Sequence, residues 1–172
     1  SPSSALPSPT MSTFVDLIPG LPAGTTVSER VDYGKQARTD TPRKSFADWQ
    51  PPADRPRALD LLTAQETTRL QELVPLRHQR MAVSPFTFYR GAAAVMASDL
   101  GRSQQSGIWT QLCGDAHLSN FGVFGTPERN LIFDVNDFDE TNPGPFEWDV
   151  LRLAASFVLA ALFVCAVCAW YL

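Results

Sequence analysis

Regular apolar spacing begins near Leu59. Thr63-Ala-Gln-Glu66 fits a capping box, and Leu70, Leu73 and Val74 follow at helical spacing, which predicts a helix there. Pro75 is expected to end or kink it. Residues 84–91 alternate Phe86 and Phe88 on one face and predict a short strand. Residues 92–100 predict a helix stopped by Gly101. Residues 108–112 predict a buried strand, followed by a loop over 113–120. Segments 121–125 and 130–136 predict a hairpin joined through Thr126-Pro-Glu-Arg129. After a turn-rich stretch over 140–145, a long helix is expected from near Glu147. Phe121, Phe124, Phe133, Phe138, Phe146 and Trp148 are assigned to the core, and no internal repeat is evident.

Residues 1–56 lack this periodicity. They hold nine of the fourteen prolines, with many Ser, Thr and Gly, and predict a mostly extended or disordered segment. The organisation expected is therefore a disordered segment over 1–56, a partial folded domain over 57–161, and a divergent apolar end over 162–172. With 172 residues the chain suffices for one ordinary domain. Three cysteines make no disulfide framework, and no basic residue precedes Arg30 to form a secretory leader, so a cytoplasmic setting is expected. A formal charge of -4 gives no reason to expect nucleic acid as a partner.

Charge placement is more informative than its sum. Eleven of the fourteen Lys and Arg lie between Arg30 and Arg90, whereas Gln111 to Asp149 holds eight acids and one base, Arg129. A divalent cation could balance such an excess, as could plain solvation. Within it stand Gly114-Asp115-Ala-His117-Leu-Ser-Asn120 and, seventeen residues beyond Asn120, Asp137-Phe138-Asp139-Glu140. A hairpin returns the chain to its starting end, so Asn120 and Asp137 should meet. Phosphoryl transfer uses such a set: one carboxylate orients the acceptor hydroxyl and takes its proton, while an amide oxygen and a second carboxylate hold Mg²⁺. Asp115 is the candidate base, and Asn120, Asp137 and Asp139 are candidate metal ligands. His117, Arg90 and Asp149 are candidates for support, His117 as a loop histidine, Arg90 as a partner for a carboxylate or phosphate, and Asp149 as an acid tying loops together. Each residue also has a structural reading, as a loop cap, a turn residue or a solvated acid.

The loop resembles the catalytic loop of aminoglycoside and choline kinases within the protein-kinase-like superfamily, matching its H-G-D-x-H-x-x-N pattern from Gly114 onward. Gly144-Pro145-Phe-Glu-Trp148-Asp149 is loosely similar to the stretch that follows the metal aspartate in that branch. Arg80-Met81, Ser84-Pro-Phe-Thr-Phe-Tyr-Arg-Gly91, and the segments 113–122, 136–141 and 145–156 resemble, more closely, the bacterial domain-of-unknown-function family 2252. That resemblance implies an α+β, permuted, kinase-like catalytic-lobe fragment. It also implies Mg²⁺ and ATP as cofactors, and a small-molecule or protein hydroxyl as acceptor. It further implies a glycine-rich segment and a lysine after the catalytic loop. This chain has neither, so little nucleotide affinity or turnover is expected of it.

Two alternatives stand beside this reading. A metal-dependent phosphoesterase would use Asp115, His117 and Asp137 as ligands, but it needs further ligand blocks and the chain has only one other histidine, His78. A non-catalytic, truncated or tail-anchored protein is the other. Residues 153–172 carry no charge and are long enough to cross a bilayer. A buried helix behind the active site is favoured for their first part over a membrane anchor. Cys165-Ala-Val-Cys168 lies in this apolar run without partner ligands and suggests no redox or zinc site.

Overall fold

The computed structural model describes residue 21 and residues 24–171. The described chain is α+β: six α-helices, three short 3₁₀ turns and two two-stranded antiparallel sheets. Helix α1 (Val27–Asp40) contradicts the expectation of disorder for the part of 1–56 that is described. Its start is set by a capping box in which the Glu29 amide donates to the Thr26 hydroxyl and the Thr26 amide donates to Glu29 Oε2 at 2.7 Å. The Tyr33 hydroxyl donates to Gly107 O and the Thr41 hydroxyl to Gln105 O, tying this region to the domain. Residues 1–20, 22 and 23 of the proline-rich segment lie outside the described residues.

Helix α2 (Ala58–Glu66) begins before the Thr63–Glu66 box that was expected to start it. The apolar face of Ala58, Leu61 and Leu62 fixes it, packing in a cluster with Met81, Ala92 and Val95. Glu66 instead contacts His78. Pro75 starts helix α3 (Val74–Met81) rather than ending one, because the first turn needs no amide donor. Helix α4 (Pro85–Gly91) replaces the strand expected over 84–91. Ser84 and Thr87 form a second capping box with Pro85 in the first turn, and these local bonds outweigh a two-residue aromatic alternation. Helix α5 (Ala93–Leu100) ends at Gly101 as expected.

Strand β1 (Trp109–Leu112) pairs not with the hairpin but with β4 (Asn142–Pro145), in register from Trp109↔Pro145 to Leu112↔Asn142. The sequence Asn-Pro-Gly-Pro reads as a turn. It is tolerated as a strand because the sheet has only two members, so each proline can turn its missing donor outward. The hairpin of β2 (Phe121–Gly125) and β3 (Leu131–Val135) follows expectation. Its aromatic residues do not. Phe124 and Phe133 are exposed, Phe133 at 71%, because no element packs extensively on the hairpin among the described residues; Phe138 and Phe146, outside the hairpin, are exposed as well.

Helix α6 (Glu147–Tyr171) runs unbroken past residue 161, so the boundary expected at 161/162 is not a break in the backbone. Its inner face buries Arg152 and Ser156, but Phe157, Val158, Leu162 and Phe163 are all more than half exposed. The expected burial of this helix is thus confined to one face. In length and composition, Glu147–Cys165 could cross a bilayer. An exposed apolar stripe of this kind drives self-association. We expect the chain to sediment as aggregate, and Val158→Glu with Leu162→Glu to raise its soluble yield. Recovery in carbonate-washed membranes, with release only by detergent, would instead identify α6 as an anchor.

Candidate active site

The loop after β1 is held from behind by one face of α6. Asp149 Oδ2 accepts from the Cys113 amide at 2.7 Å, and Asp149 Oδ1 from the Gly114 amide at 3.1 Å. Three residues on, the Arg152 guanidinium grips Asp115 Oδ1 through both Nε (2.5 Å) and Nη2. Four further on, Ser156 Oγ accepts from the Leu118 amide at 2.9 Å. Positions 149, 152 and 156 fall within an arc of about 60° at 100° per residue. The helix therefore presents one polar stripe, read in order by the loop. Arg152 is 3% exposed and also donates to Tyr89 O while lying over the Tyr89 ring at 4.5 Å. The Tyr89 hydroxyl donates to Arg152 O at 2.6 Å.

Gly114 permits the loop to pass this close to the segment after the hairpin. Its φ is +89°, and a Cβ there would sit 2.0 Å from Glu140 O. Any side chain would push the two loops apart.

The hairpin brings Asn120 to Asp137. The Asn136 amide donates to Asn120 O at 2.9 Å, closing the base of the β2–β3 ladder. Asn120, 5% exposed, donates through Nδ2 to Asp115 O and to Asp137 O, each at 3.1 Å. One amide nitrogen thus joins both loops, leaving its oxygen as the atom available to a ligand. Asp137 is exposed, and its Oδ1 accepts from the Asp139 amide at 3.0 Å. Asp139 therefore acts through its backbone on the orientation of Asp137, and its exposed carboxylate stands at the rim.

His117 is buried, with Nε2 3.7 Å from Asp115 Oδ2 and Nδ1 without a partner. Burial lowers its pKa below the ordinary 6.5; Asp115 opposes that shift, and the charges of Arg90 and Arg152 add to it. Burial likewise raises the Cys113 thiol. Arg90 makes no ion pair among the described residues.

Two openings meet at this loop. A cleft of about 1030 Å³ reaches from Asp115, His117 and Asp137 across α3 to Leu70 and Leu73. A smaller cavity of about 200 Å³ is lined by Asp115, Asn120, Asp137 and Asp139. Among the described residues no three His, Cys, Asp or Glu side chains are grouped to hold a metal. The oxygen donors present, Asn120 and Asp137 with Asp139 at the rim, suit a hard cation that takes its remaining ligands from phosphate and water, as Mg²⁺ does. They do not make a self-sufficient cage.

Of the candidates, Asp115, Asn120, Asp137 and Asp139 share the small cavity, and Arg90 lines it too. His117 lines only the larger cleft, and Asp149 stands behind the loop. Arg152 and Ser156 were missed. Their signal was present as polar residues spaced three and four after Asp149 in an otherwise apolar helix.

The family model described as "uncharacterized protein conserved in bacteria" (DUF2252) matches residues 69–163, and the chain belongs to that family. The match starts on the approach to α3 and covers the loop, the hairpin and the polar stripe of α6. No curated protein and no solved structure gives a significant match.

Removing one member of a buried ion pair leaves the other uncompensated, at a cost of roughly 3–5 kcal/mol. We expect Arg152→Ala to lower unfolding free energy by an amount near the lower end of that range, since Asp115 keeps some solvent contact, as read by urea denaturation. For His117 the sign follows from its depressed folded-state pKa. Above about pH 6.5 both folded and unfolded states hold it neutral, so stability is full. As pH falls, the unfolded state takes up a proton that the folded state resists, and stability declines. Thermal midpoints at pH 7.5 and 5.5 should therefore differ more in the wild type than in His117→Gln.

Proposed function

We propose that this chain carries the catalytic and cation-binding loops of a protein-kinase-like phosphotransferase, acting on the hydroxyl of a small molecule or protein in the cytoplasm. The carrying observation is the closure of the hairpin, which sets Asn120 against Asp137 and both beside Asp115 in the lining of one cavity. A lone Asp-x-x-x-x-Asn spacing has little specificity; its coupling to Asp137 through one buried amide supports a built site.

With Oδ1 held by Arg152, Asp115 has Oδ2 left to accept the proton of an acceptor hydroxyl. That hydroxyl oxygen bonds to the terminal phosphorus of ATP as the bond to the bridging oxygen breaks and ADP leaves. Such a transfer depends on positioning more than on base strength, and a carboxylate fixed from behind by a buried guanidinium suits it. Asn120 and Asp137 would hold Mg²⁺, which when bound neutralises charge on the nucleotide phosphates. Asp139 fixes Asp137 through its amide. The phosphoesterase alternative would need a fuller ligand cluster than the described residues supply.

The chain has no glycine-rich loop to cover the phosphates, so Mg-ATP should bind more weakly than micromolar. Calorimetry should show that this weak binding is lost in Asp137→Ala. Any turnover should fall about 10²–10⁴-fold in Asp115→Asn. Unchanged metal-dependent binding in Asp137→Ala would overturn the assignment.

A further inference from the structure

The small cavity is lined by basic as well as acidic side chains. Arg69, Arg77 and Arg90 line it together, and all three also line the larger cleft. None of them is ion-paired among the described residues, although Asp115, Asp137, Asp139 and Glu140 line the same space; the ion pair at the site is that of Arg152 with Asp115, with His117 also near Asp115 and His78 in contact with Glu66. Arg77 donates from Nη2 to Gly91 O, but its Nε is buried with no acceptor. A buried donor without a partner is costly and rare in native structures. Burial and the neighbouring charge of Arg69 both depress the Arg77 pKa, with Glu66 and Glu140 only partly offsetting them. Arg69 and Arg90 are exposed and Arg77 is half-buried, so the three lining arginines keep guanidinium N–H groups that no protein acceptor uses.

We propose that Arg69, Arg77 and Arg90 form an anion site that takes a phosphate group in the small cavity that Asn120 and Asp137 also line. Phosphate fits better than carboxylate: it offers three terminal oxygens and up to two negative charges to three guanidinium forks, whereas a carboxylate matches one. The lining then divides the work: the arginines would take the phosphate oxygens, and Asn120 and Asp137 would hold a divalent cation that offsets the phosphate charge. The phosphate could belong to the nucleotide or to the acceptor. For that source the proposal rests on the phosphotransferase reading; for the site itself it rests on the three lining arginines.

Titration of the full chain with inorganic phosphate and with pyrophosphate, each with and without Mg²⁺, tests it by calorimetry or by the shift in thermal midpoint. Binding to the wild type is expected, and it should weaken about tenfold in Arg90→Gln and in Arg69→Gln. Neither of those side chains makes a hydrogen bond within the described structure, so both variants should fold. Arg77→Gln should weaken binding further, and Arg80→Gln, which lies outside the small cavity, should not. Competition between Mg-ATP and pyrophosphate would assign the site to the nucleotide; simultaneous binding would assign it to the acceptor. Phosphate binding by the wild type together with Mg-ATP binding that Asp137→Ala leaves unchanged would keep the anion site and remove the phosphotransferase reading. No binding by the wild type, or equal binding by Arg69→Gln and Arg90→Gln, would overturn the proposal.

Discussion

Arg152 and Asp115 form the pair around which the site is arranged. A guanidinium 3% exposed must be answered by acceptors, and the Asp115 carboxylate and the Tyr89 carbonyl answer it. Because Arg152 belongs to α6, Tyr89 to α4 and Asp115 to the loop after β1, satisfying one buried charge joins three separated segments. The hairpin is joined in turn, since Asn120 ties the Asp115 and Asp137 carbonyls through one nitrogen. Exposed side chains such as Asp137 and Asp139 can thus remain available to a ligand while their backbone is fixed.

Electrostatically, the small cavity is lined by three arginines and four acids that make no ion pair with one another. Holding such groups in one cavity without direct contact forgoes some stabilisation that pairing would give. Several of these groups are held by other contacts: Arg77 to Gly91, Asp115 to Arg152, Asp137 to the Asp139 amide. Such preorganisation is what a charged ligand requires, because the protein need not rearrange when the ligand enters.

Much of this was legible in the sequence, unevenly. The hairpin, the loop before it and the long final helix follow from apolar spacing and turn residues, and the pairing of Asn120 with Asp137 follows from the hairpin. The short helices were misread where local chemistry and pattern disagreed: Ser84, Pro85 and Thr87 form a helix start that two phenylalanines at strand spacing obscured. Strand β4 was hidden by its prolines. The exposed Phe133 and Phe124 show that apolarity alone does not determine burial when no partner element lies opposite. Arg152 escaped notice because buried charges are rare, and a lone arginine entering an apolar run reads as a boundary rather than as a partner.

The polar stripe of α6 makes the loop's geometry digital. Asp149, Arg152 and Ser156 engage successive parts of the loop from a single narrow sector of one rigid cylinder. Turning that cylinder by one residue, about 100°, would carry all three away together and set aliphatic side chains beneath the loop. Whatever lies against the apolar outer face of α6 therefore shares an axle with the loop: a contact that seats the helix seats Asp115, and one that rolls it releases Asp115 in the same movement.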